Sequence, residues 1–257
     1  MKSKIDKIKA KKNKVPIVCL TAYSKNFSII LDKYCDIILV GDSLANVLYG
    51  MKNTHRITLD KMISHAQSVK QGIRKSLMVV DLPKNTYKNS DLSIKNAKKV
   101  IRETKCDAVK IESNYKNHNI IRDLVKKRIQ VMGHIGYTPQ FYKKFRIKGG
   151  SQLEENKLIK DAIKIEKAGA FAIVLECIKQ KTAKKITKAI SIPTIGIGSS
   201  SDCDGQILVT DDLLGLSGFY PKFVKKYVNL NRIVAKSIKQ YKKEVINKKF
   251  PKSNNSF

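Results

Sequence analysis

Five short apolar segments of the chain each end in a residue that could bind a metal ion or move a proton. The five end residues are Asp42, Asp81, Glu112, Glu176 and His134. Segments of this kind fit a buried strand and are too short for an ordinary helix. If the strands are parallel neighbours, their carboxyl ends meet at one face, where α/β barrels and open α/β sheets carry their chemistry. We therefore expect one reactive site built from the ends of several strands.

Asp42, Asp81 and Glu112 are the candidate metal ligands. Three carboxylates that reach one point repel one another unless a cation lies between them. Mg²⁺ takes oxygen ligands, keeps several waters, and is usually held by one or two carboxylates together with the substrate. The alternative for each acid alone is a helix cap or an ion pair with a lysine. The recurrence of an acid at three strand ends favours the metal site.

Lys110, Glu176 and His134 are candidates for substrate binding and proton transfer. Lys110 precedes Glu112 by two residues, so both side chains face the same side of a strand. The natural partner of such a lysine is a substrate carboxylate, and an ion pair with Asp42 or Glu112 is the alternative. Glu176 ends an apolar strand, which raises a carboxyl pKa and suits a general base, although a pairing with a nearby lysine is also open. His134 is equally compatible with a ligand, an acid, a supporting residue or a structural histidine.

Alternating strand and helix patterns supply the framework that would position these residues. The predicted strands cover 17–20, 36–42, 77–81, 108–112, 129–134, 172–176 and 193–198; 207–209 form a brief apolar segment, and Leu216 is placed in the eighth strand. The predicted helices cover about 24–33, 58–75, 90–104, 116–128, 153–168 and 179–190.

This alternation predicts a parallel sheet, and seven or eight units favour a closed (β/α)8 barrel of TIM type. No break in composition marks a second domain, so we expect a single domain over 1–257. It would begin with a short lysine-rich helix at about 1–14 and end with a basic, mostly helical segment at about 221–257. The lack of a G-x-G-x-x-G motif after the first strand argues against a dinucleotide-binding fold.

The net charge of +31 is the most prominent global property of the sequence. A basic protein attracts nucleic acids and anionic surfaces. Lysine is spread along every predicted helix, whereas arginine, which nucleic-acid-binding proteins use for bidentate contacts, is sparse. This distribution argues against specific nucleic-acid binding and remains compatible with weak attraction of anionic substrates.

The sequence gives no indication of export or membrane insertion. No apolar segment approaches the roughly 20 residues that cross a bilayer. Residues 1–14 are lysine-rich and lack the apolar centre of a signal peptide. The five cysteines show no C-x-x-C pattern, which is typical of a reducing compartment. We expect a cytoplasmic protein.

Motifs spread in order over nearly the whole chain resemble those of the ketopantoate hydroxymethyltransferases. They are Leu-Thr-Ala-Tyr at 20–23, Val-Gly-Asp-Ser-Leu at 40–44, Asp-Leu-Pro at 81–83, Val-Lys-Ile-Glu at 109–112, Gly-His-Ile-Gly-Tyr-Thr-Pro-Gln at 133–140, Val-Leu-Glu-Cys at 174–177, Ile-Pro-Thr-Ile-Gly-Ile-Gly at 192–198, Asp-Gly-Gln-Ile-Leu-Val at 204–209 and Pro-Lys-Phe-Val at 221–224. Several of these motifs are specific to the family.

The resemblance implies a barrel of the phosphoenolpyruvate mutase and isocitrate lyase type that uses Mg²⁺. The implied reaction transfers a hydroxymethyl group from 5,10-methylenetetrahydrofolate to 3-methyl-2-oxobutanoate. The products would be tetrahydrofolate and 2-dehydropantoate, a precursor of pantothenate and coenzyme A. The resemblance also implies a homo-oligomer, typically a decamer.

The resemblance further implies roles for the residues discussed above other than His134, whose place as a supporting residue near the metal is one of the candidates named from the sequence itself. The metal would lie at Asp42, Asp81 and Glu112. The keto acid would contact four residues, which are Asp42, Ser43, Asp81 and Lys110. Glu176 would accept the proton.

The sequence departs from the family pattern at a few positions. The segment 145–150, Phe-Arg-Ile-Lys-Gly-Gly, replaces a Gly-Gly-Tyr-Lys-Val-Gln-Gly-Arg type of segment that family members usually carry after the Thr-Pro-Gln turn. Lys84 stands where an apolar residue is usual, and Ala45 and Asn46 replace a commoner Gly-Met pair. The metal and base positions match the family motifs.

Two other function classes remain open at this stage. A related Mg²⁺-dependent carbon–carbon lyase that acts on a small oxo acid would form product without any folate. A basic barrel that binds RNA or anionic surfaces would show a steep salt dependence that Asp42→Ala leaves unchanged.

Overall fold

Eight parallel strands form a closed barrel in the computed structural model, which describes residues 2–142, 144–218 and 220–257. The strands follow one another around the barrel in chain order, and the first pairs with the last. Their bounds are β1 Ile17–Thr21, β2 Ile37–Val40, β3 Leu77–Asp81, β4 Ala108–Glu112, β5 Val131–Gly136, β6 Ala172–Glu176, β7 Thr194–Ile197 and β8 Gly205–Leu208. The predicted barrel fold is confirmed.

Helices precede the barrel and connect most of its strands. Their bounds are α1 Lys4–Lys9, α2 Lys25–Leu31, α3 Leu44–Val47, α4 Leu59–Lys70, α5 Ser90–Thr104, α6 His118–Lys126, α7 Gln152–Lys167 and α8 Gln180–Ala189. The Thr58 side chain accepts a hydrogen bond of 3.3 Å from the backbone N–H of Lys61 and so caps α4, which ends at Lys70 and not at the predicted residue 75. The segment after β2, for which no helix or strand was predicted, contains α3 because Leu44 and Ala45 bury their side chains in the core.

The strands bury side chains on both of their faces, so the barrel has two apolar layers. In β2, Ile37 and Leu39 belong to the cluster inside the barrel, whereas Ile38 and Val40 belong to the cluster beneath the helices. This division follows from the two-residue repeat of a strand. Because both faces are apolar, the strands appear in the sequence as continuous apolar segments.

Helix α1 covers the amino-terminal end of the barrel. Its Ile8 is buried in the interior cluster together with Ile17 and Leu77, the first residues of β1 and β3. The helix is shorter than the predicted 1–14, and Met1 lies outside the described residues. The chain leaves the helix before Asn13, whose φ of 56° turns the backbone toward β1.

The eighth strand differs from the predicted one. Gly205–Leu208 pairs with both β7 and β1 and closes the barrel, whereas Leu216 lies outside the strands. A Cβ atom on Gly205 would lie 2.5 Å from the carbonyl oxygen of Ile17, so only glycine allows this approach. Strand β5 also runs on to Gly136, two residues beyond the predicted end at His134.

The chain divides into two compact units, Met1–Val209 and Thr210–Phe257. The first unit contains the barrel. The second contains α9 Thr210–Leu214 and α10 Leu230–Ile246, and none of the residues of α10 is buried. Residues 221–229, predicted to be mostly helical, precede α10. Within the described residues, no helix has both the length and the apolar composition that crossing a membrane requires.

Candidate active site

Three buried carboxylates lie at the carboxyl ends of neighbouring strands. Asp81 and Glu112 are the last residues of β3 and β4, and Asp42 follows β2 by two residues. The exposed fractions of Asp42, Asp81 and Glu112 are 6%, 2% and 1%. Burying an ionised carboxylate costs free energy unless cations or hydrogen-bond donors compensate it, so the partners of these three groups determine their protonation states.

The side chain and backbone of Gln140 connect two of these carboxylates. Its side-chain Nε2 donates to Asp42 Oδ2 at 2.8 Å, and its backbone N–H donates to Glu112 Oε2 at 2.9 Å. The Tyr87 hydroxyl donates to Gln140 Oε1 at 2.5 Å. This last bond fixes which end of the amide faces Asp42, because Oε1 accepts and Nε2 donates.

Lys110 forms a buried ion pair with the third carboxylate. Its Nζ lies 2.9 Å from Asp81 Oδ1, and the backbone N–H of Asp42 donates to Asp81 Oδ2 at 3.0 Å. Asp81 Oδ1 receives no well-directed hydrogen bond from the described residues. The sequence left open a pairing of Lys110 with Asp42 or Glu112; the ion pair is with Asp81 instead, whose strand is hydrogen-bonded to that of Lys110.

The crowding of these carboxylates changes their proton affinities. Burial, with a contribution from the negative charge of Asp81, raises the pKa of Asp42 to about 7. Burial and the charge of Asp42 raise the pKa of Glu112 well above its ordinary value. Burial opposes the charged form of Lys110, but the surrounding carboxylates outweigh it and raise the pKa of its ammonium. Lys110 is therefore a permanent cation in a site with excess acidic groups.

Glu176 lies on the opposite side of His134 from Lys110. Glu176 Oε2 is 3.1 Å from Nε2 of His134, and Nδ1 of the same ring is 3.4 Å from Lys110 Nζ and 3.6 Å from Glu112 Oε1. Burial raises the pKa of Glu176 to about 7, against the opposing charge of Lys110. Burial and Lys110 lower the pKa of His134 well below its ordinary value, so its imidazole is neutral. The Glu176 side chain is 20% exposed and thus reaches the open end of the barrel.

The predicted site residues all lie at this end of the barrel. Ser43, next to Asp42, has its hydroxyl 2.8 Å from that of Tyr23. Gln140 and Tyr87 are the residues to which the sequence assigned no role. Gln140 ends the Gly-His-Ile-Gly-Tyr-Thr-Pro-Gln motif, so its position in a family-specific motif was the available signal. Tyr87 had no such signal.

The donor chemistry of the site fits a hard divalent cation. Among the described residues, no three His, Cys, Asp or Glu side chains stand ready around one metal position. Instead, Gln140 donates hydrogen bonds to Asp42 and Glu112, and Lys110 forms an ion pair with Asp81. Mg²⁺ needs only one or two carboxylates when water and substrate supply the other oxygens. Asp81 Oδ1, whose one polar contact in the described part of the chain is the ion pair with Lys110, can accept a further ligand, and this capacity and the excess acidic charge match that requirement.

Comparisons with known proteins agree over the whole chain. A family model described as ketopantoate hydroxymethyltransferase matches residues 2–253. A 3-methyl-2-oxobutanoate hydroxymethyltransferase from Pelagibacter ubique is 49% identical over 257 residues and covers 100% of both chains. A protein of the same name from Rhizobium etli is 45% identical and covers 98% of this chain and 94% of its own.

Solved structures with the same fold are more distant in sequence. A 2,3-dimethylmalate lyase of the phosphoenolpyruvate mutase and isocitrate lyase superfamily has a TM-score of 0.61 at 15% identity, covering 95% of this chain and 88% of its own. A phosphoenolpyruvate phosphomutase from Streptomyces platensis has a TM-score of 0.62 at 11% identity, with the same coverage of 95% and 88%. At this identity the likeness establishes the fold type alone.

Proposed function

The chain belongs to the ketopantoate hydroxymethyltransferase family, and we propose that the carboxyl ends of β2 to β6 hold its active site. The enzyme transfers a hydroxymethyl group from 5,10-methylenetetrahydrofolate to 3-methyl-2-oxobutanoate in pantothenate synthesis. The observation that carries the proposed site is the arrangement of Lys110 and Glu176 on either side of the neutral His134 ring. A fixed cation and a titratable base thus lie next to the two nitrogens of one neutral imidazole ring.

The keto acid would bind through its own negative charge and oxygens. Lys110 is the buried cation that its carboxylate or developing enolate oxygen would approach. Ser43, Asp42 and Asp81 would be the other residues that contact the keto acid. Asp42, Asp81 and Glu112 would hold the Mg²⁺, which when bound supplies Lewis-acid polarisation of the keto acid.

Glu176 would remove the proton from C3 of 3-methyl-2-oxobutanoate. Because its pKa is about 7, a substantial fraction of Glu176 is a carboxylate at neutral pH, and this carboxylate is more basic than that of an ordinary glutamate. The electron pair of the C–H bond would pass to the keto oxygen, giving an enolate whose charge Lys110 stabilises. Water would release the methylene carbon from N5 and N10 of the folate as formaldehyde, leaving tetrahydrofolate with the two protons of that water. The C3 carbon would then attack the carbonyl carbon of the formaldehyde, whose oxygen takes up a proton and becomes the new hydroxyl group.

The neutral His134 would orient Glu176 and would keep a second positive charge out of the site. Its ring lies between Lys110 and Glu176, and burial disfavours its protonated form. A charged imidazole at this place would hold Glu176 as a carboxylate and lower its basicity. We regard His134 as a positioning residue.

The proposal is tested by two measurements on one set of proteins. The first is formation of 2-dehydropantoate from both substrates with Mg²⁺; the second is exchange of the C3 proton of the keto acid with D2O, followed by NMR without folate. Wild type should perform both, Glu176→Gln should lose both, and Asp81→Asn should weaken both together with Mg²⁺ binding measured by calorimetry. Full C3 exchange by Glu176→Gln would remove Glu176 as the base.

The same assay separates the carbon–carbon lyase alternative. A lyase would release its product without any folate, whereas hydroxymethyl transfer requires it. Product formation that persists after folate is omitted would therefore overturn the role of the folate in this chain.

Two further features belong to the same proposal. We propose a cytoplasmic enzyme, which is supported by five cysteines that are all unpaired and buried. We also propose a homo-oligomer, a decamer by family resemblance, in which 1–257 acts as one domain. Mass determination by light scattering would test the assembly.

A further inference from the structure

A second cluster of charged and aromatic side chains lies near the Glu176 end of the barrel. Tyr142 and Lys148 come from the segment that links β5 to α7, Lys157 from α7, and Tyr115 from the loop after β4. Lys148 is its central residue and is 5% exposed. Its backbone N–H donates to the carbonyl of Cys177 at 2.9 Å, and its own carbonyl accepts from the backbone N–H of Lys179 at 2.8 Å. Lys148 is thus fixed beside the residue that follows Glu176.

The ammonium groups of this cluster face aromatic rings. Lys148 Nζ lies 3.7 Å from the centre of the Tyr142 ring, and Lys157 Nζ lies 4.3 Å from the centre of the Tyr115 ring. Among the described residues, neither ammonium has a carboxylate within ion-pair distance. A ring face attracts a cation but does not neutralise it.

The nearby acids are already engaged by other groups. Glu154 Oε1 pairs with Arg146 at 2.5 Å, and its Oε2 accepts from the backbone N–H groups of Gly149 and Gly150 at 2.8 and 3.2 Å. Asp161 accepts from the Ser113 hydroxyl at 3.0 Å and contacts the ring of His118. These carboxylates are therefore not free to neutralise Lys148 and Lys157.

The electrostatic consequence is visible at Lys148 itself. Burial and the positive charges of Arg146 and Lys157 lower the pKa of Lys148, and the partly opposing charge of Glu154 does not offset them. The cluster carries more positive charge than its own residues balance. An external anion would restore that balance.

We propose that Lys148 and Lys157, with the rings of Tyr142 and Tyr115, bind the carboxylates at the glutamyl end of the folate co-substrate. This inference rests on the proposed function, since it presupposes that folate delivers its methylene group beside Glu176. In a folate, an aromatic p-aminobenzoyl group separates the reacting methylene from the glutamyl carboxylates. A site for these carboxylates is therefore expected beside the reacting centre, not within it.

The chemistry of the cluster matches that ligand in two ways. Lys148 is buried against the Tyr142 ring, which strengthens its attraction for a carboxylate over that of a fully solvated lysine, and Lys157 adds an exposed ammonium over the Tyr115 ring. The Tyr142 and Tyr115 rings also offer flat apolar surface to the p-aminobenzoyl ring. The keto acid, whose binding groups were described above, does not require this cluster.

The test compares three variants that remove one ammonium each and keep an unbranched side chain. Lys148→Met and Lys157→Met alter the cluster, and Lys160→Met removes an exposed lysine one turn further along α7 as the matched control. Steady-state kinetics would vary each substrate, using mono- and triglutamyl 5,10-methylenetetrahydrofolate. Folate-free C3 proton exchange would be measured on the same samples.

We expect the KM for the folate to rise about tenfold in Lys148→Met, because a buried charged hydrogen bond is lost. In Lys157→Met it should rise about three- to fivefold, because the ion pair lost there is more exposed to solvent. The KM for the keto acid and the rate of C3 exchange should stay at the wild-type values in both. The wild-type KM for the folate should rise with salt more steeply than that of Lys148→Met. Lys160→Met should behave as wild type.

Three results would overturn the inference. The first is an unchanged folate KM in both variants while wild type forms product. The second is a folate KM that rises equally in Lys160→Met. The third is a parallel loss of C3 exchange, which would assign Lys148 to the architecture of the catalytic end itself. Failure of the proposed function is distinct, since wild type would then give no folate-dependent product at all. Lys157 is exposed, so its variant keeps the test valid if Lys148→Met does not fold.

Discussion

Replacement of Glu176 by glutamine should abolish proton abstraction and stabilise the protein, with the stability gain present only at higher pH. Burial raises the pKa of Glu176 from an ordinary 4.5 to about 7. The folded protein therefore holds this proton more tightly than the unfolded chain does. For this group alone, the free energy of unfolding is greatest below about pH 4.5 and falls as the pH rises through about 7.

The size of the effect follows from the pKa difference. The two values are about 2.5 pH units apart, and one unit corresponds to about 1.4 kcal/mol, so the carboxylate costs at most about 3–4 kcal/mol of stability above pH 7. Glutamine has the same shape and no charge to desolvate. In a chain of this size each kcal/mol shifts Tm by about 2–4 °C. Glu176→Gln should thus melt several degrees above wild type at pH 8 and close to wild type at pH 4.5.

The assays are differential scanning fluorimetry from pH 4.5 to 8 and C3 proton exchange by NMR. Exchange by wild type should rise about tenfold between pH 6 and 8, because the carboxylate fraction of a group with a pKa near 7 rises by about that factor. In Glu176→Gln it should fall by about 10²–10⁴. Glu244→Gln, which changes a partly exposed acid of α10, is the matched control. A difference in Tm that does not vary with pH would refute the assignment of a buried, desolvated base.

Two further predictions concern the groups that support the site and the barrel. Tyr87→Phe removes the hydrogen-bond donor to Gln140 Oε1 and so frees the amide to turn. The affinity for a divalent cation, measured by calorimetry, should fall several-fold, and the free energy of unfolding should fall by about 1–2 kcal/mol. Unchanged values for both would contradict the role of Tyr87 in orienting Gln140. Gly205→Ala places a Cβ atom 2.5 Å from the carbonyl oxygen of Ile17, so urea unfolding should show a loss of about 2–3 kcal/mol, and a stability equal to wild type would contradict the tight β1–β8 closure.

The strands that carry the site were predictable because their sequence pattern is simple. Both faces of β2, β3, β4 and β6 are buried, so each strand appears as an apolar segment, and the acid that follows it marks the open end of the barrel. Alternation with amphipathic helices then indicated the parallel arrangement. Strand β8 was not predictable in this way. It is short, begins with Gly205 and exposes Gln206, so its identity depends on pairing with β1 and β7.

The contacts within the site depend on geometry that a linear pattern does not contain. Lys110 and Glu112 share one side of β4, as their spacing predicted, yet the partner of Lys110 is Asp81 on the adjacent strand. Only the register between β3 and β4, which sets Asp81 opposite Lys110, decides that choice. Gln140 likewise reaches Asp42 from 98 residues away in the chain. Pairings across strands and loops are properties of the fold.

The proposed catalytic end of this barrel combines an excess of acidic groups over cations with a rigid support. Asp42, Glu112 and Glu176 each have a raised pKa, which means that each carboxylate is less favourable in the folded protein than in water. A mobile scaffold would relax by admitting water or separating the acids. Here the interior apolar layer below the site and the bonds of Gln140 fix their positions, so the unfavourable charge is kept. The same burial that costs stability makes Glu176 basic and Lys110 permanently charged, and proton abstraction next to a fixed cation requires both properties.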